Sequence, residues 1–207
     1  NKRRGHPGVW MRNITFIADF YAEEVAGGGE LANEVLIRSL EKRGLSVGRV
    51  KSQQTTVSEI AQSDDFFIVA NFIGLSEECR ESLIEKDYAI FEHDHKYLKT
   101  RDPSPFPNYL ATEDQIINKG FYQKAKAVFC QSNVHARVVS ENLLIDNVIN
   151  LGCSLWSDEH LKVLRDNLNT PKKKRKVVIA SNNLIKGSMQ AEAFCVKIKN
   201  DYDLIQP

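Results

Sequence analysis

Residues 14–40 read ITFIADFYAEEVAGGGELANEVLIRSL, a strand, a glycine turn and an amphipathic helix in that order. Ile14, Thr15, Phe16 and Ile17 with Phe20 make a short β-rich run. From Leu31 the apolar residues Leu31, Val35, Leu36 and Leu40 recur at helical spacing until Gly44 ends the helix. Between the two, Gly27, Gly28 and Gly29 lack Cβ atoms, so the backbone there admits positive φ and the close approach of a ligand. They also sit where the positive end of a helix dipole begins, which is a place for an anion. A second strand, 45–50, follows at once, so the stretch is a right-handed βαβ unit, the seed of a parallel sheet with helices on both faces.

The same alternation continues outward. Thr56 and Glu59 have capping-box spacing and open a short helix before a strand at 66–71. Ser76 caps a helix to about Lys86, and 88–91 is a fourth strand. After it EHDHKYLKTRDPSPFPNYL is a long polar loop in which Pro103, Pro105 and Pro107 forbid regular structure. Long loops at the carboxyl ends of parallel strands are where such folds keep their sites. Thr112 and Gln115 form a second capping signature for a helix to about Ala125, then comes a strand at 128–130. Ser132 caps a helix with Val134, Val138, Val139 and Leu143 on its inner face, followed by a sixth strand at 148–151 and a helix from Ser157. PKKKRK then leads into a new strand at 177–180 and a helix from Ser188 with Ala191, Phe194, Cys195 and Ile198 on one face. The expectation is an α/β Rossmann-like domain over 1–170 and, over 171–207, a basic hinge and the first βα unit of a second such domain.

Composition narrows the function classes. With 28 basic and 27 acidic residues the 207-residue chain has no global field to attract nucleic acid. The longest apolar run, 66–75, is broken by Asn71 and falls well short of a bilayer span, so no transmembrane segment is expected. Cys79, Cys130, Cys153 and Cys195 are scattered without a CxxC pair, which fits reduced core thiols and a cytoplasmic setting. Residues 1–12, NKRRGHPGVWMR, read as an extended arm; because the first residue is Asn, the chain is expected to lack its start.

Three clusters carry candidate chemistry. The glycine turn lacks the GxxxxGK[ST] of a phosphate loop. Gly27, Gly29 and Ala32 formally match a dinucleotide fingerprint, but the second strand ends VGRVK without the acid a nicotinamide ribose requires. Glu30 is either a ligand contact or a first-turn acid favoured by the helix dipole. Glu92-His93-Asp94-His95 follows the fourth strand; alternation there would put His93 and His95 on one face and Asp94 on the other. An HxH pair can bind a metal, but no third ligand has suitable spacing, so no metal is expected; an exposed polar loop is the plain alternative. PKKKRKV spells a nuclear localisation signal, yet between a helix and a strand it reads as a solvated hinge.

Four segments resemble family-4-like glycosyltransferases of GT-B architecture. GGGELANEVLIRSLEKRGLSV is similar to the glycine-loop segment opening that family's amino-terminal domain. AKAVFCQSNVHARVV and NVINLGCSLW resemble its fifth-strand segment and its sixth-strand approach to the hinge. VVIASNN followed by Lys186-Gly187 resembles the start of its carboxyl-terminal, donor-binding domain, and the likeness runs in order over about residues 14–200. The resemblance implies transfer of a sugar from a nucleotide-sugar donor to a carbohydrate, lipid-linked or other acceptor, with retention, no metal and no cofactor. It implies that Gly27, Gly28, Gly29 and Glu30 face donor phosphate or sugar and that Lys186, beside Gly187, neutralises pyrophosphate. It also implies that His95 or His93 contacts donor sugar or acceptor, with Asp94 as orienting partner. The turn SNNLIK lacks an arginine common there in the family, and the later carboxylate pair of that domain is not in the sequence. The alternatives are a non-catalytic Rossmann-like module and a dinucleotide-dependent oxidoreductase.

Overall fold

The computed structural model describes residues 13–168, 176–178, 188–198 and 203–205. Two compact units meet in sequence at Ser157–Asp158, so the helix from Asp158 groups with the later one. In the first unit β1 (Ile14–Ala18), α1 (Gly28–Lys42), β2 (Val47–Lys51), α2 (Val57–Gln62), β3 (Phe66–Val69) and α3 (Glu77–Ile84) alternate. They are followed by β4 (Tyr88–Phe91), α4 (Lys119–Lys124), β5 (Ala127–Cys130), α5 (Asn133–Leu143) and β6 (Val148–Asn150). The strands form one sheet in the order β2-β1-β3-β4-β5-β6, with every neighbouring pair parallel. This is the Rossmann-like α/β architecture expected from residues 14–50, and its strand order reverses direction at β1.

Side-chain parity divides the core into two layers. Ile17, Phe67, Val69, Tyr88, Ile90, Val128 and Cys130 face one way and pack with Ile60, Cys79, Leu83, Phe121, Val139 and Leu143 of α2 to α5. Ile14, Phe16, Ala18, Ile68, Ala70 and Phe91 face the other way, toward Ala32 and Ile37 of α1. Each fully buried Phe or Ile contributes roughly 1.5–3 kcal/mol relative to exposure.

Helix phase departs from the simple reading at three places. The inner face of α1 is Ala32, Asn33 and Ile37 flanked by Leu36 and Leu40, which turns Leu31 outward. In α5 Val138, Val139 and Leu143 are buried, but Val134, in the first turn beyond the sheet edge, is exposed. Thr112 makes no cap bond; Glu113–Gln115 is a single 3-10 turn. The chain is then drawn out, because Leu98 bridges Ile116 and the Ile117 amide donates to the Tyr97 carbonyl at 2.7 Å. Asn118, in the left-handed region at φ 55°, then turns it into α4.

Local signals of the expected kind hold elsewhere. Thr56 and Glu59 form a reciprocal capping box, and the Ser76 and Ser132 hydroxyls accept from the Cys79 and His135 amides. All four cysteines are free; Cys79, Cys130 and Cys195 are buried, but Cys153 is exposed and is no core thiol. No described helix is long and apolar enough to cross a membrane.

The second unit contains α6 (Asp158–Asn167), β7 (Lys176–Val178), α7 (Ser188–Ile198) and β8 (Asp203–Ile205), with β7 parallel to β8. That is a second βαβ crossover. Cys195 of α7 is buried, whereas Phe194, expected on the same face, is exposed.

Candidate functional site

The carboxyl ends of β1, β3, β4 and β5 converge on the start of α1. Tyr21 fixes the approach: its hydroxyl lies 2.8 and 2.9 Å from the Phe16 and Val50 carbonyls and shares its one proton between them. Gly27 then caps α1 in an extended conformation (φ −87°, ψ 161°) without a side-chain cap. The first amides of a helix have no intrahelical acceptor, so the Gly28 and Gly29 N–H groups point out of its end. A Cβ on Gly28 would meet nothing within 4 Å, while one on Gly29 would sit 3.5 Å from the His93 ring and 3.6 Å from Asn71 Nδ2. The bend is open on one side and lined on the other by Asn71 and His93, from the loops that follow β3 and β4.

Glu30 leans back across this opening. Its Oε1 accepts from Asn71 Nδ2 at 3.1 Å, and its Oε2 fills the space a Cβ on Gly27 would need. The carboxylate therefore serves the helix dipole and lines the opening at once.

His93 is held from both ring nitrogens. Nε2 lies 2.8 Å from Asn33 Oδ1, and Nδ1 lies 2.9 Å from Gln131 Nε2, whose own Oε1 accepts from the Ser154 hydroxyl at 2.9 Å. Nε2–H donates and Nδ1 accepts, which is the neutral tautomer. Burial first, and then the Lys96 charge, push its pKa down to about 4. With both nitrogens engaged, His93 presents ring edge rather than a proton to the glycine bend. Asn33 is fully buried, and its Nδ2 has no hydrogen-bond partner among the described residues.

The next two side chains diverge. β4 ends at Phe91, so strand alternation no longer governs 93–95, and His95 takes a left-handed backbone at φ 57°. Its Nδ1 meets the Tyr97 hydroxyl at 2.9 Å and its ring packs edge-on against His135 with centroids 4.7 Å apart. Burial, followed by His135, lowers its pKa to about 4. Asp94 pairs with Lys96 Nζ and, at 3.1 Å, with Arg101 Nη1. His93 and His95 thus have separate partners instead of sharing one face.

Beneath them lies a charge pair. Glu92 is fully buried, accepts from the Tyr122 hydroxyl and the Asp94 amide (2.9 Å), and faces Lys96 Nζ at 3.5 Å. Burial opposes its charge, but Lys96, the Tyr122 hydroxyl and the Asp94 amide outweigh burial and hold the carboxyl well below its usual range. Lys96, nearly as buried, is held above its ordinary value because Glu92 and Asp94 outweigh its own desolvation. This pair anchors the loop after β4, together with buried Tyr97 and Leu98.

On the β1 side, buried Asp19 accepts from the Ser52 hydroxyl and from the Ile73 and Gly74 amides at 3.0 and 2.8 Å. β2 ends on Lys51, which pairs with Glu24, at the place a nicotinamide dinucleotide would require an acid. Among the described residues no three His, Cys, Asp or Glu side chains converge as metal ligands. Lys186 and Gly187, like residues 1–12 and most of PKKKRKV, lie outside the described residues. Gly29, Glu30, Asn33, Asn71, His93 and Gln131 are brought together; Asn33, Asn71 and Gln131 were not singled out in the sequence.

No family model and no curated protein matches the chain. Among solved structures it is similar to a flavodoxin of Streptococcus pneumoniae TIGR4 at a TM-score of 0.30 and 14% identity, covering 75% of this chain and 92% of that one. A likeness of that degree carries no function over; the architecture stands on its own strand order and register.

Proposed function

We propose that the chain belongs to a metal-independent glycosyltransferase that moves a sugar from a nucleotide donor to a hydroxyl acceptor. The observation that supports this best is the open Gly28–Gly29 bend, whose free helix-end amides adjoin His93 and Asn71 at the carboxyl edge of the sheet. Amides fixed in that way stabilise a phosphate or sugar oxygen by roughly 0.3–1 kcal/mol through the dipole alone, and by more where water is excluded.

Glu30 divides the labour within the bend. Because its carboxylate already covers Gly27, an anion is disfavoured there and a sugar hydroxyl donating to Glu30 is favoured. His93, immobilised by Asn33 and Gln131, packs against the sugar face as a positioning residue. Asp94 is neutralised by Lys96 and Arg101, and Glu92 is buried, so neither is placed as a base. Rate enhancement then comes from positioning and leaving-group stabilisation. The acceptor oxygen bonds to the anomeric carbon as the bond to diphosphate breaks, and the hydroxyl proton passes to the departing phosphate. Lys186, by the family resemblance alone, neutralises that phosphate.

Calorimetric titration with UDP-, GDP- and ADP-sugars tests the reading. One of them should bind saturably, and Lys186→Ala should weaken it; absence of heat with all three, or an unaffected Lys186→Ala form, overturns the assignment.

A further inference from the structure

A cavity of about 300 Å³ opens between the loop after β3, α3 and the loop after β4. Arg80, Lys96, Lys99 and Arg101 line it, and among the described residues no carboxylate does. In a chain whose net charge is only +1, four cations around one concavity are a strong local concentration. The counter-charges stand behind the cations and not in the lining: Glu92 and Asp94 attend Lys96, Asp94 also takes one nitrogen of Arg101, and Glu78 and Asp114 lie within electrostatic range of Arg80 and Lys99.

The donors are held in place. Arg80 Nη1 donates to the Leu75 carbonyl, which fixes its guanidinium plane and leaves the other guanidinium donors to the cavity. Asn118 Nδ2 donates to the Lys96 carbonyl at 2.9 Å, and the Lys99 amide donates to the Gln115 carbonyl at 3.1 Å, so the backbone beneath the cations is pinned. Phe72, Leu98 and Ile117 supply an apolar wall, with Lys96 Nζ 5.5 Å from the centre of the Phe72 ring. Fixed guanidinium forks match phosphate oxygens two at a time, and a cavity of this size lies at the lower end of small-ligand sites.

We infer that this cavity binds the phosphate group of a small phosphorylated molecule, with Arg80, Lys99 and Arg101 on the oxygens and the organic part against Phe72, Leu98 and Ile117. Buried Lys96 stays with Glu92 and Asp94 and pins the loop that carries Lys99 and Arg101. The inference does not rest on sugar transfer and is tested by binding alone.

Calorimetry with glycerol 3-phosphate, inorganic phosphate and acetate, at about 50 mM salt where screening is weak, decides it. Glycerol 3-phosphate should saturate one site, inorganic phosphate should bind more weakly, and acetate should not compete. Lys99→Ala with Arg101→Ala changes exposed side chains and should weaken binding about tenfold or more, roughly 1.4 kcal/mol. Lys124→Ala, a control for bulk charge, should leave it unchanged. No saturable binding below about 10 mM would overturn the inference, since a site weaker than that falls short of ordinary small-ligand affinities. Equal binding of acetate, or equal loss in Lys124→Ala, would overturn it too. Circular dichroism confirms that each variant is folded.

Discussion

Acidifying the protein from about pH 7.5 to about pH 5 should remove on the order of 2 kcal/mol of stability for each of His93 and His95. Both are neutral in the fold: burial dominates, with the Lys96 charge against His93 and His135 against His95, and each pKa is lowered to about 4. In the unfolded chain they return to about 6.5, so between these values the unfolded state binds more protons and stability falls as pH falls. At pH 5 an unfolded imidazole is almost fully charged and a folded one about one-tenth charged, which gives the figure of about 2 kcal/mol. Burial lowers the His135 pKa as well, so it adds in the same direction. The sum for His93 and His95, roughly 4 kcal/mol, approaches the whole stability of a marginal domain. Glu92 does not confuse the window: its depressed pKa costs stability only as pH falls below the ordinary carboxyl value of about 4.3. Urea unfolding followed by far-ultraviolet circular dichroism in half-unit pH steps measures the slope. His93→Gln and His95→Gln should each flatten it by one histidine's share, whatever they do to the midpoint at neutral pH. A midpoint that stays constant from about pH 7.5 to 5 would refute the neutral, buried state of these rings.

Three substitutions probe the rest of the site. A Cβ on Gly29 makes ordinary contact with the His93 ring, so Gly29→Ala should leave the thermal midpoint unchanged or raise stability by roughly 0.5–1 kcal/mol while weakening sugar-nucleotide binding; a large loss of stability would show that the bend has no room. Gly74→Ala places a Cβ 2.9 Å from Ser52 Oγ and 3.3 Å from Asp19 Oδ1, and should cost about 1–3 kcal/mol in denaturant titration; a neutral result would mean that the Asp19 clamp yields easily. Glu92→Gln strips Lys96 of its buried carboxylate and should cost about 3–5 kcal/mol, part of which Lys96→Met restores in a double-mutant cycle; additive losses would deny the coupling.

The sheet was legible because parallel strands buried on both faces read as short apolar runs, and the Thr56–Glu59 capping box and the Ser76 and Ser132 caps between them are local chemistry. Phe66 to Val69 and Tyr88 to Phe91 have no polar face to confuse the period. The Thr112 signature failed for a non-local reason. Leu98, far away in sequence, pairs with Ile116 and competes with the helix that Thr112 would start. A cap is worth about 1 kcal/mol, and burial of Tyr97 and Leu98 outweighs it.

The site was legible only in its backbone. Three adjacent glycines announce an open helix start, but which side chains face it depends on how β4 ends. The HxH run looked like an alternating strand end; once Glu92 turns inward to Lys96 and Tyr122, the chain must loop around that pair, and His95 is carried to the other side in a left-handed conformation. The signal that does exist is a polar residue inside an apolar stripe. Asn33 falls between Ala32 and Leu36 on the inward arc of α1, where a helix period demands a hydrophobic residue. A buried amide there costs on the order of 1–3 kcal/mol unless something satisfies it. His93 satisfies the oxygen, and the nitrogen has no partner among the described residues. A fold retains such an unfavourable group where rearranging it would release the ring it holds. Asn33 and His93 therefore act as one unit, and Asn33→Leu, which removes the acceptor for His93 Nε2–H, should stabilise less than a core leucine normally does and leave His93 neutral, since burial and Lys96 still hold its pKa down. Histidine NMR titration reads that directly; a ring that takes up a proton near its ordinary pKa in Asn33→Leu would mean that Asn33, and not burial, sets its state.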